Sequence, residues 1–391
     1  PCDARMFGYR RRPLLTWPLL VASVGSASKM LLPNEPRILG LNEQRLLTET
    51  YLLPVLDALE ACFLAVRHQV DPELQNVQPI KLGKPYPLGQ CLEISEGVLK
   101  RVRSIEPADM SPPAAVGLGS LREFLRAGGQ FRLVWGDLRG QYFQNAFQLG
   151  TLYVDVSNDT VVSTKPKVEI LPFEEAQLVP IRDFVHFRHI ASSYWRDAIF
   201  PNHVVPEVAP YCPLIHVTKG GAIRLHDATP YMASLAARQS FVSSETVLRE
   251  DPMPDALFEC VRAALSKGPH KLASTVKQGR QLALQKCLQY RAKRWHQVPL
   301  QTKKAIASAQ RINLDLARVR YKDSQKENLM PILTIDNVAY DLESLSAEAQ
   351  AHLSSIQFVD QELARLQSQV AAMQTARNAY VQALKAVLPV A

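Results

Sequence analysis

Cysteine is scarce and scattered in this chain. Six occur among 391 residues, at Cys2, Cys62, Cys91, Cys212, Cys260 and Cys287. None belongs to a C-x-x-C pair and no spacing suits zinc, so a reduced, cytoplasmic setting is the default expectation. Long hydrophobic runs are also missing. No stretch approaches the roughly twenty apolar residues that a membrane-spanning helix needs. The chain contains no G-x-S-x-G, no P-loop and no G-x-G-x-x-G. The usual sequence signals of serine hydrolases, P-loop nucleotide enzymes and dinucleotide-binding enzymes are therefore absent.

What is present suits a globular protein with a sizeable core, since 47% of residues are hydrophobic. The length predicts two domains or three. At the N-terminus, Arg10-Arg11-Arg12 precedes an apolar stretch from Leu14 to Val24, and Ser26-Ala27-Ser28 follows. That order matches a secretory signal, with secretion as the alternative localisation, although Pro13 and Pro18 interrupt it. The other reading is sequence upstream of a start at Met30. Residues 1–29 are set apart from fold reasoning on either view.

The stretch 30–254 is expected to be an α/β main domain. A helical pattern covers 42–69, kinked near Pro54, and the Pro- and Gly-rich 71–90 read as loop. Beyond 119, strand-like runs at Phe131–Trp135, Thr151–Val156, Lys167–Leu171, Leu214–Val217 and Ala222–Leu225 alternate with helix-like runs at Gln141–Leu149, Pro180–Trp195 and from Pro230 to Arg238. Strands separated by helices predict an α/β body.

Candidate chemistry clusters at the predicted strand ends. In Leu152-Tyr-Val-Asp155-Val-Ser-Asn158-Asp159, an apolar strand ends in two acids. Carboxylates at a strand's C-terminal edge suit Mg²⁺ or Mn²⁺, which prefer oxygen ligands. The stretch loosely resembles the strand-then-acids motif of metal-dependent glycosyltransferases, with Asp-x-x-x-Asp in place of that family's Asp-x-Asp. The resemblance implies an activated sugar or other diphosphate compound as substrate. Ser-Asn-Asp is equally good turn chemistry. Asp137 and Arg139, in Trp-Gly-Asp-Leu-Arg-Gly, could act as base and anion ligand, or Asp137 could cap a helix beginning near Gln141. His186 and His189 share a predicted helix face without a third ligand at convincing spacing. His226-Asp227 follows a strand and offers a general base.

A basic segment comes next, expected as a helical linker over 255–330. Between Val261 and Lys326, sixteen Lys or Arg face two Asp, a local charge of +14 in a chain of +8. The positive charge is thus confined to one region. With Tyr290, Trp295 and Tyr321 interleaved, the segment suits nucleic acid or an anionic surface, or it is simply a solvated helix pair.

Residues 331–391 form a separate module on the sequence. Two β-branched runs flank Asp336-Asn337, predicting a β-hairpin. Ile356, Val359, Leu363, Leu366, Val370, Met373, Tyr380, Leu384 and Val387 then follow a/d spacing, interrupted by Arg377. A coiled-coil-like helix is expected over 346–388, closing against a second copy, another protein or the chain's own body. The Thr334-Ile335-Asp336, Tyr340-Asp341-Leu342-Glu343-Ser344-Leu345-Ser346, Gln357–Gln367 and Gln374–Tyr380 patterns resemble a family of very short bacterial proteins of unknown function. That resemblance implies a module able to exist alone, and brings no activity with it.

Overall fold

The computed structural model describes residues 31–81, 83–225, 229–321, 332–335, 338–341, 345–346, 348–356 and 359. The expectations for residues 1–29 and for most of the helix over 346–388 lie outside them.

Four helices precede the main sheet: α1 (Leu41–Tyr51), α2 (Leu56–Val77), α3 (Cys91–Ser104) and α4 (Pro112–Arg126). A two-residue-per-strand ribbon, β1 (Ile80–Lys81) and β2 (Lys84–Pro85), lies between α2 and α3. On α2, Leu59, Cys62, Phe63, Val66 and Val70 recur at helical spacing and are buried. They pack with Val98 of α3 and Leu121 and Phe124 of α4. Gly117 lets α4 approach α2 closely, because a Cβ there would overlap the Ala58 carbonyl.

The main sheet contains β3 (Phe131–Leu138), β4 (Tyr142–Leu149), β5 (Leu152–Asp155), β6 (Glu169–Pro172) and β7 (Leu178–Val179) in the order β6-β5-β4-β3-β7. Every pairing in it is antiparallel. The mixed α/β composition is as expected; β3 to β6 form an antiparallel meander, and β7 pairs with the free edge of β3. A difference from expectation arises at Gln141–Leu149, which reads as helix-like and is strand. Tyr142, Gln144, Ala146 and Gln148 face one side, and Phe143, Asn145, Phe147 and Leu149 the other. All eight are buried, so period-two alternation is hidden by apolar and amide residues on both faces. Arg139 and Gly140 adopt φ of 61° and 71° and turn the chain straight back.

One face of this sheet carries Phe147, Leu149, Leu152 and Val154 against α2–α4. Further along the same face, Phe143 and Trp135 join a second, larger core. That core gathers α5 (Phe184–Tyr194), β8 (Ala198–Pro201), β9 (Leu214–Val217), β10 (Ile223–Leu225), α6 (Thr229–Arg238), α7 (Val242–Leu248), α8 (Asp255–Leu265), α9 (Val276–Ala292) and α10 (Pro299–Leu316). Its sheet runs β10-β9-β8, again antiparallel. Leu257, Val261, Ala283, Cys287, Ala309, Ile312 and Leu316 are buried in it. The basic segment is therefore not a linker. Its inward positions complete the main body, and Tyr321 N–H donates to the Gly221 carbonyl at 2.8 Å.

Beyond the body, β11 (Ile332–Ile335) pairs antiparallel with β12 (Val338–Asp341). Ile356 and Val359 are 55% and 52% exposed. Among the described residues no helix is long and apolar enough to cross a membrane.

Candidate functional site

Asp155 is the last residue of β5 and fully buried. Side chains alternate along a strand, and directly paired residues share a face. Asp155 therefore lies with Tyr153, Gln144 and Tyr142 on the face away from α2–α4. Gln144 Nε2 donates to Oδ2 at 2.7 Å and the Tyr153 hydroxyl donates to it at 3.0 Å. Ser157 donates its N–H at 2.8 Å and its hydroxyl at 3.0 Å to Oδ1. The Asp155–Ser157 contact closes a turn of the Asx type, the turn chemistry that the sequence also allowed. Burial pushes the carboxyl up to about 6, against the opposing pull of these four donors. The Gln144 Oε1 beside it is buried with no hydrogen-bond partner.

Asp159 belongs to a different cluster. Its two oxygens meet Arg67 Nη1 and Nη2 at 2.9 and 3.1 Å. Arg67 has no solvent exposure and also donates to the Val156 carbonyl and to Asp71. Asp71 in turn accepts from Lys167 and, at 2.6 Å, from the Tyr86 hydroxyl. Burial alone would lower the Arg67 guanidinium; its ion pairs hold it above its ordinary value. This network fastens the 156–168 loop to α2. The expected Mg²⁺ or Mn²⁺ pair does not fit the arrangement, because donors already occupy the Asp155 and Asp159 oxygens. Among the described residues no three acidic, His or Cys side chains cluster as metal ligands.

Asp137 stands on the opposite face of the sheet from Asp155. Its Oδ2 accepts from His186 Nε2 at 2.9 Å, and His186 Nδ1 accepts the Arg182 N–H at 3.2 Å. With both ring nitrogens used, His186 is a brace between α5 and β3 and has no nitrogen left to take a substrate proton. Nor can Asp137 cap a helix at Gln141, since a strand begins there. Asp137 Oδ1 is buried without a partner. Arg139, in the β3–β4 turn, pairs with Glu169 at 3.2 Å. Glu169 is directly across from Asp155 in the β5–β6 register. Of the residues singled out from sequence, Arg139 and Asp155 thus reach one side of the sheet, while Asp137 and Asp159 do not join them. His226 and Asp227 lie outside the described residues. His189, one turn from His186, is exposed.

Two polar clusters escape sequence reasoning. Arg67 had one signal, a guanidinium set within the apolar stripe of α2 with Asp71 four residues on. Asp197, His216 and Arg224 had none, because the register of three strands brings them together. Asp197 Oδ2 meets His216 Nδ1 at 3.3 Å and Arg224 Nη2 at 3.1 Å.

The remaining feature is electrostatic. With the inward side of α10 buried, its outward side presents Lys303, Lys304 and Arg311, all exposed, and Arg318 is exposed in the turn just beyond the helix end. Lys267 and Lys271 are exposed in the α8–α9 loop. His270 of that loop lies within electrostatic reach of Arg311 and Asp315, which brings the loop beside the helix. Lys277, Lys293 and Arg294 add further exposed charge. The interleaved aromatics turn inward instead. Tyr290 is buried, and Trp295 packs against it at a tilt, with centroids 4.2 Å apart, under Lys293. No family model, no curated protein and no solved structure matches this chain.

Proposed function

We propose that this protein binds nucleic acid through the basic face of α10 and the adjoining α8–α9 loop, and is not a catalyst. The carrying observation is the exposed row Lys304, Arg311 and Arg318, each seven residues from the next. At 1.5 Å per residue Lys304 and Arg311 stand about 10 Å apart along α10, roughly three base-pair steps of a duplex, and Arg318 follows in the turn beyond the helix end. Lys303, Lys267 and Lys271 broaden the row. Among the described residues none of these six side chains is held in an ion pair, and Asp315, beside Gly268 of the loop, is the acid that stands among them. The aromatics are committed to the core, which removes base stacking and leaves contacts to the phosphate backbone. Binding of this kind is largely independent of sequence.

The transferase reading, with an activated sugar as substrate, needed Asp155 to share a pocket with Asp137 or Asp227. Asp137 faces the other way, and Asp155 is enclosed by its own donors. A buried, saturated carboxylate lacks access to substrate, so the binding reading is preferred.

Fluorescence anisotropy with a short labelled DNA duplex, at several salt concentrations, tests this. Affinity should fall steeply with salt. The K304Q/R311Q/R318Q variant should flatten the log–log slope by roughly one unit per cation removed. Absence of binding at low salt, or an unchanged slope in the variant, defeats the proposal.

The C-terminal module supports self-association as a separate reading. Ile356 and Val359 open the a/d series and are both more than half exposed. Leu366→Asp with Val370→Asp should convert an oligomer to monomer in light scattering; a monomeric unmodified protein at tens of micromolar would end that reading.

A further inference from the structure

A second concentration of positive charge lies where the chain enters the body, well apart in sequence from the basic helices. Glu35 is buried. Its Oε2 accepts from the Leu32 N–H at 2.7 Å and from Arg238 Nη1 at 2.9 Å. Its Oε1 faces Arg37 Nε at 3.3 Å. Arg132, at the start of β3, donates Nη2 to the Arg37 carbonyl at 2.6 Å and Nε to Gln148 at 2.6 Å. Two guanidinium groups, of Arg37 and Arg238, therefore meet the Glu35 carboxylate, and a third, of Arg132, lies within electrostatic reach of it.

We propose that Arg37, Arg132 and Arg238 form a binding site for a dianionic oxyanion, either phosphate or a phosphoryl group. Three positive charges against one negative leave two uncompensated, which a dianion would neutralise. Arg37 Nη2 is buried without a hydrogen-bond partner, so a donor is already in place for an acceptor that the chain does not supply. A buried donor left unmet is costly, and guanidinium groups are suited to bidentate recognition of phosphate oxygens. Arg132 is itself largely withdrawn from water. Burial lowers it to about 10, with Glu35 opposing and Arg37 reinforcing the fall. The segment 34–37 is also tied to the sheet, since the Trp135 N–H donates to the Asn34 carbonyl at 2.7 Å. The anion would therefore be held between the entry segment, β3 and the end of α6.

Thermal unfolding and isothermal titration of the full chain test this with potassium phosphate against potassium chloride at equal ionic strength. Phosphate should raise the unfolding midpoint in a saturable way. Arg37→Gln and Arg238→Gln should each weaken phosphate binding at least tenfold, with folding verified by circular dichroism; if one variant does not fold, the other decides. Glycerol phosphate distinguishes the sources. Binding tenfold tighter than inorganic phosphate assigns the phosphoryl group of a larger molecule, and comparable or weaker binding assigns free phosphate. K304Q/R311Q should leave phosphate binding unchanged even where it abolishes binding of the duplex. The proposal is overturned if chloride gives the same shift, if both arginine variants bind phosphate like the unmodified protein, or if the α10 variant loses phosphate binding.

Discussion

Asp155 and Arg67 show how a buried charge can be held in two ways. Asp155 has neutral donors only, so burial dominates and its pKa rises to about 6. The sign of the consequence follows. The folded carboxyl binds its proton more tightly than the unfolded one, whose pKa is near 3.8. Between those values the native state holds more protons, and stability falls as pH rises. Ionisation should therefore remove on the order of 2–3 kcal/mol between pH 4 and pH 7. Asp155→Asn lacks that step and offers an amide N–H near the unpartnered Gln144 Oε1. Urea unfolding of both proteins across this range should show the gap moving in favour of the variant as pH rises; a constant gap would refute the assignment. Arg67 is held by ion pairs instead. Arg67→Met would strand Asp159 and Asp71 in the interior and should cost about 3–5 kcal/mol. A loss under 1 kcal/mol in the same measurement would show that the network is not a brace. The sequence revealed Asp155 as notable because an apolar run ended on it. It could not reveal the role, which depends on Gln144 from a strand that reads as helix.

At the scale of elements, legibility followed the cleanness of the periodicity. The stripe on α2 and the short strand Ile223–Leu225 were readable because apolar residues hold one face, and Leu214–Val217 because three of its four residues are aliphatic. The segment Tyr142–Leu149 was not, since Gln and Asn fill inward positions on both faces and imitate a helical mixture. That single misreading put a helix where the central strand lies and made Asp137 a cap. It also hid Gln144, the strand partner that encloses Asp155. Helix contact supplies a sharper test of the fold. Gly117 sits where α4 meets the Ala58 carbonyl of α2. Gly117→Ala should force the helices apart and destabilise by about 1–3 kcal/mol, despite the better helix propensity of alanine. Gly119→Ala, on the same helix with open space at its Cβ, should be neutral or slightly stabilising. Equal effects at the two positions would place the α2–α4 contact elsewhere.

For the molecule as a whole, the central question is where the cooperative body ends. Charge alone suggests an end at Pro254, because the composition turns basic there. Burial places it later. Leu257, Phe258 and Val261 of α8, Ala283 and Cys287 of α9, and Ala309, Ile312 and Leu316 of α10 are each at most 1% exposed, and all share a core with α5–α7. Phe143 and Trp135 extend that core to the main sheet, so both halves answer to one set of contacts. Removing α8–α10 would uncover those partners, at roughly 1.5–3 kcal/mol for each large apolar side chain returned to water. Three or four such side chains already match the 5–15 kcal/mol by which a typical domain is stable. A chain truncated after Pro254 should consequently be unfolded or aggregated. One truncated after residue 330 retains every element of both cores and should keep a single cooperative transition by circular dichroism and by intrinsic tryptophan fluorescence. Its basic face would remain too, so duplex binding should persist in that longer fragment. A folded, monomeric 30–254 fragment would show instead that the basic helices are an attachment, and that their outward charge is separable from the body it covers.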